Sequence, residues 1–212
     1  MRKTIIKLPS PRLQGKVSLD ETILRRRSIR RYSGELLLLS QLSQILWSAQ
    51  GITGTRKFRT APSAGATYPL EIYVFVGKQS VIAGETKQAL EELQAGIYHY
   101  EVDSHSLSLH KPDDLRPDLA RAALDEEFIT QAPVDIVICA LYHRTCHRYG
   151  RRGERYVHME VGHVGENIHL QAVALGLATV EVGAFHDEEV MKVLGLDEQI
   201  KPLYIMPVGK PR

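Results

Sequence analysis

Apolar positions along the chain recur at two periods, near 3.6 and near 2, and the places where one gives way to the other mark its elements. Pro9 and Pro11 forbid a helix in residues 1–17, which read as an extended arm. Ser18 followed by Glu21 is a capping box, so a helix opens there and runs through Leu24 toward Arg27. Ser40 caps a second helix, with Leu42, Ile45, Leu46 and Ala49 on one face and a stop near Gly51. The stretch 56–69, RKFRTAPSAGATYP, is too rich in small residues and proline for regular structure, and it leads into a strand, EIYVFVG, at 71–77. Helical spacing follows over 81–95, then a hairpin of YHYEV (98–102) and LSLHK (107–111), then one or two short acidic helices within 113–131. VDIVICALY (134–142) is an almost continuous apolar run of strand length, which predicts a central strand covered on both faces. HRTCHRYGRRGER (143–155) reads as a basic loop. A long helix from about Glu154 to Gly176 carries Val157, Val161, Val164, Ile168, Ala172 and Leu175 at steps of four and three. ATVEVGAF, DEEVMKVLG and PLYIMPVGKPR close as strand, helix, strand. The class is α+β, with strands well separated by helices.

Composition narrows this picture without redirecting it. At 212 residues, 43% apolar and 25% charged, the chain has the make-up of an ordinary globular protein and predicts a single domain over 1–212. A chain this long buries ~70% of its unfolded surface, so it needs no disulfide or metal to fold. Cys139 and Cys146 are the only cysteines, which excludes a disulfide framework and leans toward the cytoplasm. No apolar run approaches the ~18–20 residues of a membrane span, and MRKTIIKLPSPRLQGK lacks the sustained apolar stretch of a secretory leader. A soluble, cytoplasmic protein is expected. The net charge of +2 excludes neither nucleic acid nor small anions, because a near-neutral total can hide local clusters.

One such cluster is RRRSIRRY (25–32): five arginines, a serine and a tyrosine at a helix end. Taken alone, a charge run is a solvated surface. Arginines this dense repel one another unless an anion sits among them, and the Ser28 hydroxyl beside forked guanidinium groups suits phosphate geometry. Lys210 and Arg212, flanking the rigid Pro211, form a second basic pair that could close on the same phosphate. Neither GxGxxG nor GxxxxGK[ST] is present, which argues against a dinucleotide fold or a P-loop. Pro62, Ser63, Ala64, Gly65 and Ala66 form either a plain turn or a loop whose backbone can approach a flat ligand closely. Glu181, Val182, Gly183 and Ala184 repeat the device, a small-residue kink before a helix starting near Asp187, where backbone N–H groups can face ring heteroatoms.

RRSIRRY, PSAGATYP, VEVGAFHDEEVMKVLGL and GKPR, in that order, resemble the nitroreductase superfamily of flavoenzymes. LSQILWSAQGIT and the RYGRRGERYVHMEVGH helix also stand in the family's order, so the resemblance covers essentially the whole chain. Within the superfamily the chain looks most like small dehydrogenases related to the azoline oxidases of peptide maturation. The resemblance implies a nitroreductase-like fold, a central mostly antiparallel sheet flanked by helices, in an intertwined homodimer with FMN at the interface. Carried over motif by motif, Arg26, Arg27, Ser28 and Arg30 hold the FMN phosphate and ribityl chain, and Lys210 and Arg212 complete the clamp. Pro62, Ser63, Ala64 and Gly65 line the isoalloxazine from the other subunit, and Glu181, Val182, Gly183 and Ala184 lie toward its N5 edge. The activity implied is hydride transfer through flavin N5, from NAD(P)H to a small acceptor such as a nitroaromatic or quinone. No side chain need act as acid or base, so no catalytic residue is assigned. Where many members carry an asparagine and a Gln-Pro-aromatic run, this chain has Gly65, Thr67 and Tyr68–Pro69. A dehydrogenase acting on one specific substrate, of azoline-oxidase type, and a flavin-binding protein without turnover are the alternatives.

Three further features stay outside that scheme. His143, Cys146 and His147, with His158 and His163 beyond, match no closed zinc pattern, so no metal is assigned. Cys146 among Arg144, His147 and Arg148 is either a passenger or a thiol of lowered pKa. The basic stretch 143–155 is either solvated surface or a lid drawing an anionic substrate, or the phosphates of NAD(P)H, to the flavin. Nucleic-acid binding lacks interleaved aromatics and a groove-reading element and is not expected. The long helix, with Gly162, Gly165 and its valine stripe, is placed at a dimer core, although its periodicity fits the core of a single chain equally well.

Overall fold

The computed structural model describes residues 4–84 and 92–212. Eleven strands and seven α-helices are named here among those residues. The strands are β1 (Ile5–Lys7), β2 (Leu37–Leu38), β3 (Ile52–Thr53), β4 (Phe58–Arg59), β5 (Leu70–Val76), β6 (Val81–Ile82), β7 (Gly96–Glu101), β8 (Ser106–Pro112), β9 (Val134–Ala140), β10 (Ala178–Thr179) and β11 (Lys201–Gly209). The helices are α1 (Leu19–Arg25), α2 (Leu39–Gln50), α3 (Arg116–Ala122), α4 (Phe128–Gln131), α5 (Tyr142–Tyr149), α6 (Arg152–Ala174) and α7 (Asp187–Leu194). Seven strands form one sheet in the order β1-β8-β7-β5-β9-β11-β10, and every pairing in it is antiparallel. This is the α+β, largely antiparallel architecture expected, with helices on both faces.

β9 is the middle of the core. It pairs with β5 on one side and β11 on the other, and all seven of its residues are buried. Successive side chains point to opposite faces of a strand. Ile136 and Ile138 therefore join Ile72, Val74 and the α2 and α6 stripes on one face, while Val137 and Cys139 join Tyr73, Phe75 and residues of α3, α4 and α7 on the other. A strand covered on both faces has no polar side, and that is why its sequence shows no alternation. Asp135 is the exception, a carboxylic acid on the second face with no exposure and no hydrogen bond to either oxygen among the described residues.

The α6 stripe, Val157, Val161, Val164, Ile168 and Ala172, is buried in the chain's own core against α2 and the sheet. Of the two places open to that stripe, the interior of the single chain is the one it fills.

Several local expectations need correction. The second helix starts at Leu39, and Ser40 lies inside it; the entry is closed by the Leu38 amide donating to Gln41 Oε1 at 3.0 Å. The stretch 56–69 is not wholly irregular, since it holds β4 and a 3₁₀ turn at Ala64–Ala66. Helix was expected over 81–95. Val81–Ile82 instead form β6, parallel to β2, and residues 85–91 of that range lie outside the described residues. The strand expected in ATVEVGAF is confined to Ala178–Thr179, with one further bridge from Val182 to Ile205.

The largest correction concerns 143–155, which is helix rather than loop: α5 occupies 142–149, Gly150 turns the chain at φ +56°, and α6 begins at Arg152. Tyr142, Thr145, Cys146 and Tyr149 form its inward face at helical spacing, with Thr145 fully buried. These residues are too polar to register as an apolar stripe, so only the arginines showed.

Half of the capping box is present, the one in which the Ser18 side chain accepts. Ser18 Oγ accepts the Glu21 amide at 3.1 Å, and α1 ends as Arg26 donates its amide to the Thr22 carbonyl. Since α1 carries the arginine segment at its end, Ser18→Ala should lower stability by about 1 kcal/mol, read as a fall in urea midpoint at unchanged slope.

Candidate functional site

The two basic clusters, nearly a whole chain apart in sequence, are joined by backbone bonds. The Ser33 amide donates to the Lys210 carbonyl at 2.9 Å, the Arg212 amide donates to the Arg31 carbonyl at 3.1 Å, and Tyr32 bridges Pro211. The buried Tyr32 hydroxyl pins this ribbon to the sheet, with the carbonyls of Ile29 (3.0 Å) and Pro207 (3.2 Å) as acceptors. Ile29 adds an amide bond to the Thr179 carbonyl at 3.0 Å. Beside the ribbon lies a cavity of about 650 Å³ bounded by Arg30, Arg31, Arg212 and Phe128, with Asp125–Glu127 along one rim. Arg30 rests over the Phe128 ring at 5.9 Å.

The basic side chains are not equivalent. Among the described residues Arg26, Arg30, Arg31 and Arg212 lie within ion-pair distance of no carboxylate. Arg27 turns its guanidinium back onto the carbonyls of Arg26 (2.6 Å) and Leu24 (3.2 Å), closing the end of α1. Lys210 pairs with Glu35 at 3.2 Å. Ser28 is exposed and carries no side-chain bond among the described residues. Arg30, Arg31 and Arg212 are exposed around the cavity and Arg26 is half-buried; unpaired guanidinium groups so placed suit an anion that takes several forked donors at once, as a phosphate does.

The small-residue loop is held from outside by α5 and from below by α6. Ser63 Oγ accepts the Tyr68 amide at 2.9 Å, Thr67 and Thr145 share a hydroxyl bond of 2.8 Å, and Arg144 and Arg148 donate to the carbonyls of Tyr68 (3.0 Å) and Gly65 (3.3 Å). Pro62 and Gly65 are exposed, Ser63 and Ala64 half-buried. Gly65, Ala66 and Tyr68 have φ of +61°, +53° and +45°, the left-handed region that costs a side chain energy. A Cβ on Gly65 would also lie 2.6 Å from the Tyr149 hydroxyl and 2.9 Å from Arg148 Nη1. Gly65→Ala should therefore cost about 1–2 kcal/mol, seen as a lowered thermal midpoint, whereas Ala64→Ser should leave the midpoint in place.

Beneath this loop Glu160 of α6 is 2% exposed. Burial pushes its carboxyl up to about 7, against the opposing pull of Ser63, Arg59 and Gln50. Oε1 of Glu160 and Nε2 of the buried Gln50 both go without a hydrogen-bond partner among the described residues.

At the third segment the Val182 amide and carbonyl are both spent on Ile205, at 2.9 and 3.0 Å, so this amide is not free for a ligand. Gly183 and Ala184 beside it are exposed. Glu181 is half-buried, and its Oε1 lies 2.9 Å from Nδ1 of His169, a residue 1% exposed on α6 whose Nε2 lies 3.1 Å from the Arg27 carbonyl. Segments 26–31, 181–184 and 210–212 thus assemble at one end of the sheet. The 62–65 loop stands farther along α6, since Glu160 and His169 are nine residues, about 13–14 Å, apart on that helix.

His169, Glu160 and Tyr149 carry no assignment in the sequence, and Arg148 enters there only as part of the basic stretch 143–155. His169 left one trace, a histidine next to Ile168 on the buried side of an amphipathic helix. Of the other features weighed there, Cys146 is half-buried and unbonded to Cys139, and His143, His147, His158 and His163 assemble no cluster of potential metal ligands among the described residues. No helix among those residues is long and apolar enough to cross a membrane.

Residues 23–210 match the family described as the nitroreductase family. The Methanocaldococcus jannaschii protein provisionally named nitroreductase MJ1384 is 45% identical over 194 residues, which are 92% of this chain and 91% of that one. The microcin B17-processing protein McbC of Escherichia coli is 27% identical over 157 residues, 71% of this chain and 54% of McbC. A crystal structure of a protein from Ralstonia eutropha, also provisionally named a nitroreductase, superposes with a TM-score of 0.81 at 27% identity, covering 98% of this chain and 90% of that one.

Proposed function

The chain belongs to the nitroreductase family, and from that premise we propose that it is an FMN-dependent oxidoreductase passing electrons from NAD(P)H to a small acceptor such as a nitroaromatic or quinone. The observation that carries the cofactor is the set of guanidinium groups on Arg30, Arg31 and Arg212, gathered around one cavity beside the paired ribbon, with Arg26 at the end of α1, all left without carboxylate ion-pair partners among the described residues. A dianionic phosphate fits that donor set. When bound, FMN supplies hydride transfer at its N5 position.

The chain's own residues orient it and exclude competing reactions. Arg26, Ser28, Arg30 and Arg212 hold the phosphate and ribityl chain. Arg27 contributes chiefly by closing α1, and Lys210 joins the clamp when it exchanges Glu35 for phosphate. Gly183 and Ala184 face the ring with little side-chain bulk, next to Glu181 and Val182. Pro62, Ser63, Ala64 and Gly65 of a second copy line its other side.

A homodimer is part of this reading. Leu19, Ile23 and Leu24 on α1 and Met159 on α6 stand between 52% and 73% exposed. Such apolar side chains on two helices are suited to burial against a second copy. The whole chain then forms one cofactor-binding unit, placed in the cytoplasm.

A second reading, a dehydrogenase specific for one substrate of azoline type, draws on the likeness to the microcin-processing protein and on Arg148 and Tyr149 packed over Gly65.

The test is an absorbance spectrum of the purified protein followed by NAD(P)H without oxygen. A flavin spectrum that bleaches on NAD(P)H supports the leading reading. A flavin inert to NADH and NADPH but reduced by an azoline substrate selects the second. Colourless, folded protein that takes up no added FMN sinks both.

A further inference from the structure

α6 delivers one side chain to two of the segments assigned above to the cofactor. His169 is 1% exposed; its Nδ1 lies 2.9 Å from Glu181 Oε1 and its Nε2 lies 3.1 Å from the Arg27 carbonyl oxygen. A carboxylate and a carbonyl only accept hydrogen bonds, so both bonds exist together only when both ring nitrogens carry protons. The geometry therefore describes an imidazolium. Its surroundings bear this out: Glu181 faces it from the loop after β10, Glu166 from one turn earlier on α6, and Arg26 is the opposing cation at the end of α1. The ligand atoms of Glu166, His169 and Glu181 lie within 4.8 Å of one another, a spacing that would also suit a metal ion. An imidazolium has no lone pair to offer one, and its two N–H groups are already committed.

We propose that His169 is a positioning residue for the flavin site: as a cation it ties the arginine segment to the Glu181 loop and balances the Glu181 carboxylate where an anionic cofactor must approach. The inference rests on the FMN reading above. Through the Arg27 carbonyl it sets where the chain leaves α1, and so where Ser28 and Arg30 stand. Through Glu181 it sets the loop that continues into Gly183 and Ala184. An uncompensated Glu181 would repel the phosphate and a negatively charged ring, and would be free to pair with Arg26 and withdraw it from the phosphate.

Burial opposes the charge on His169, but the bonds to Glu181 and to the Arg27 carbonyl outweigh it and raise its pKa above the ordinary value, while Glu181 is held below its own. A histidine raised on folding contributes fully below about pH 6.5 and loses that contribution as pH rises through its folded value.

The experiment is a titration of the cofactor-stripped full chain with FMN, followed by quenching of flavin fluorescence, at steps from pH 7 to pH 9. The phosphate of FMN, with a second pKa near 6, is already dianionic over that range. The wild type should lose about tenfold in affinity across it. His169→Gln, which keeps one donor and no charge, should bind about tenfold more weakly at pH 7 and show a flat profile. Weak binding by His169→Gln with the wild-type pH slope retained would reduce the residue to ordinary packing and overturn the proposal, as would unchanged affinity. A rise in the melting temperature of the wild type with Zn²⁺ or Mn²⁺ alone, absent in His169→Gln, would make the cluster a metal site and overturn it too. A folded wild type that binds no FMN at any pH overturns the FMN reading along with it. Wild-type binding with an unaffected variant removes only the role of His169.

Discussion

Replacing Arg26 and Arg30 together by alanine is expected to strip the protein of FMN. Each guanidinium–phosphate contact is a charge-assisted hydrogen bond of about 1.5–3 kcal/mol. Losing two lowers affinity by roughly 10² to 10⁴-fold, at about 1.4 kcal/mol per factor of ten. The fold itself should hold, because neither side chain makes an ion pair among the described residues and Arg30 is exposed. The measurement pairs the flavin-to-protein absorbance ratio of the purified double variant with thermal unfolding of its cofactor-free form. Full cofactor occupancy in the double variant would refute the phosphate assignment. Arg27→Ala makes the contrast: its guanidinium bonds the Leu24 and Arg26 carbonyls, so its effect should fall on the end of α1 more than on the cofactor.

The second large effect is expected at Asp135, through pH and stability alone. Burial holds this carboxyl well above the usual carboxylate range, with Arg116 pulling the other way and Asp114 adding to the rise. An acid whose pKa rises on folding stays protonated in the native state while the unfolded chain gives up its proton. The native state then binds more protons, and stability falls as pH rises, from about pH 4 up to the folded value. The fall is about 1.4 kcal/mol per pH unit in that window. Asp135→Asn keeps the shape and removes the titration. Its stability relative to wild type should climb with pH from about pH 4 until the folded value is reached, measured as urea unfolding free energies at each pH. Parallel pH profiles for the two proteins would show that Asp135 is ionised and paired. Asp135 lies on the α3, α4 and α7 face of the sheet, between Phe75 and Pro207 in the strand register.

How much was legible beforehand depended on whether each signal was local. The Ser18 cap, the hairpin across 103–106, the buried run of β9 and the stripe of α6 appeared as read, because period and cap chemistry are written within a window of a dozen residues; the reciprocal half of the capping box did not, since Glu21 pairs with Arg25 instead. α5 was missed for the converse reason. Its inward face is Tyr142, Thr145, Cys146 and Tyr149, spaced as a helix but not apolar, and the surrounding arginines resembled a solvated loop. Once folded as a helix, Thr145, Arg144 and Arg148 clasp the 62–68 loop, giving the basic stretch a definite structural task.

The sequence by itself determined the most regular elements, β5, β9 and α6 among them, the apolar core and the family, along with the arginine, small-residue and basic motifs proposed above for a phosphate and a planar ring. Each of these is a short-range pattern that survives without coordinates. Only the tertiary structure decided which motifs meet and which donors are left free. Residues 26–31 and 210–212 come together through backbone bonds between opposite ends of the chain. Arg27 and Lys210 prove to be engaged elsewhere, while Arg26, Arg30 and Arg212 are left without ion-pair partners among the described residues. His169 reaches the Arg27 carbonyl across 142 positions of sequence. The physical reason is the same in each case: a hydrogen bond is specified by atoms within about 3 Å of each other in space, and no periodicity along the chain records a contact made between its ends.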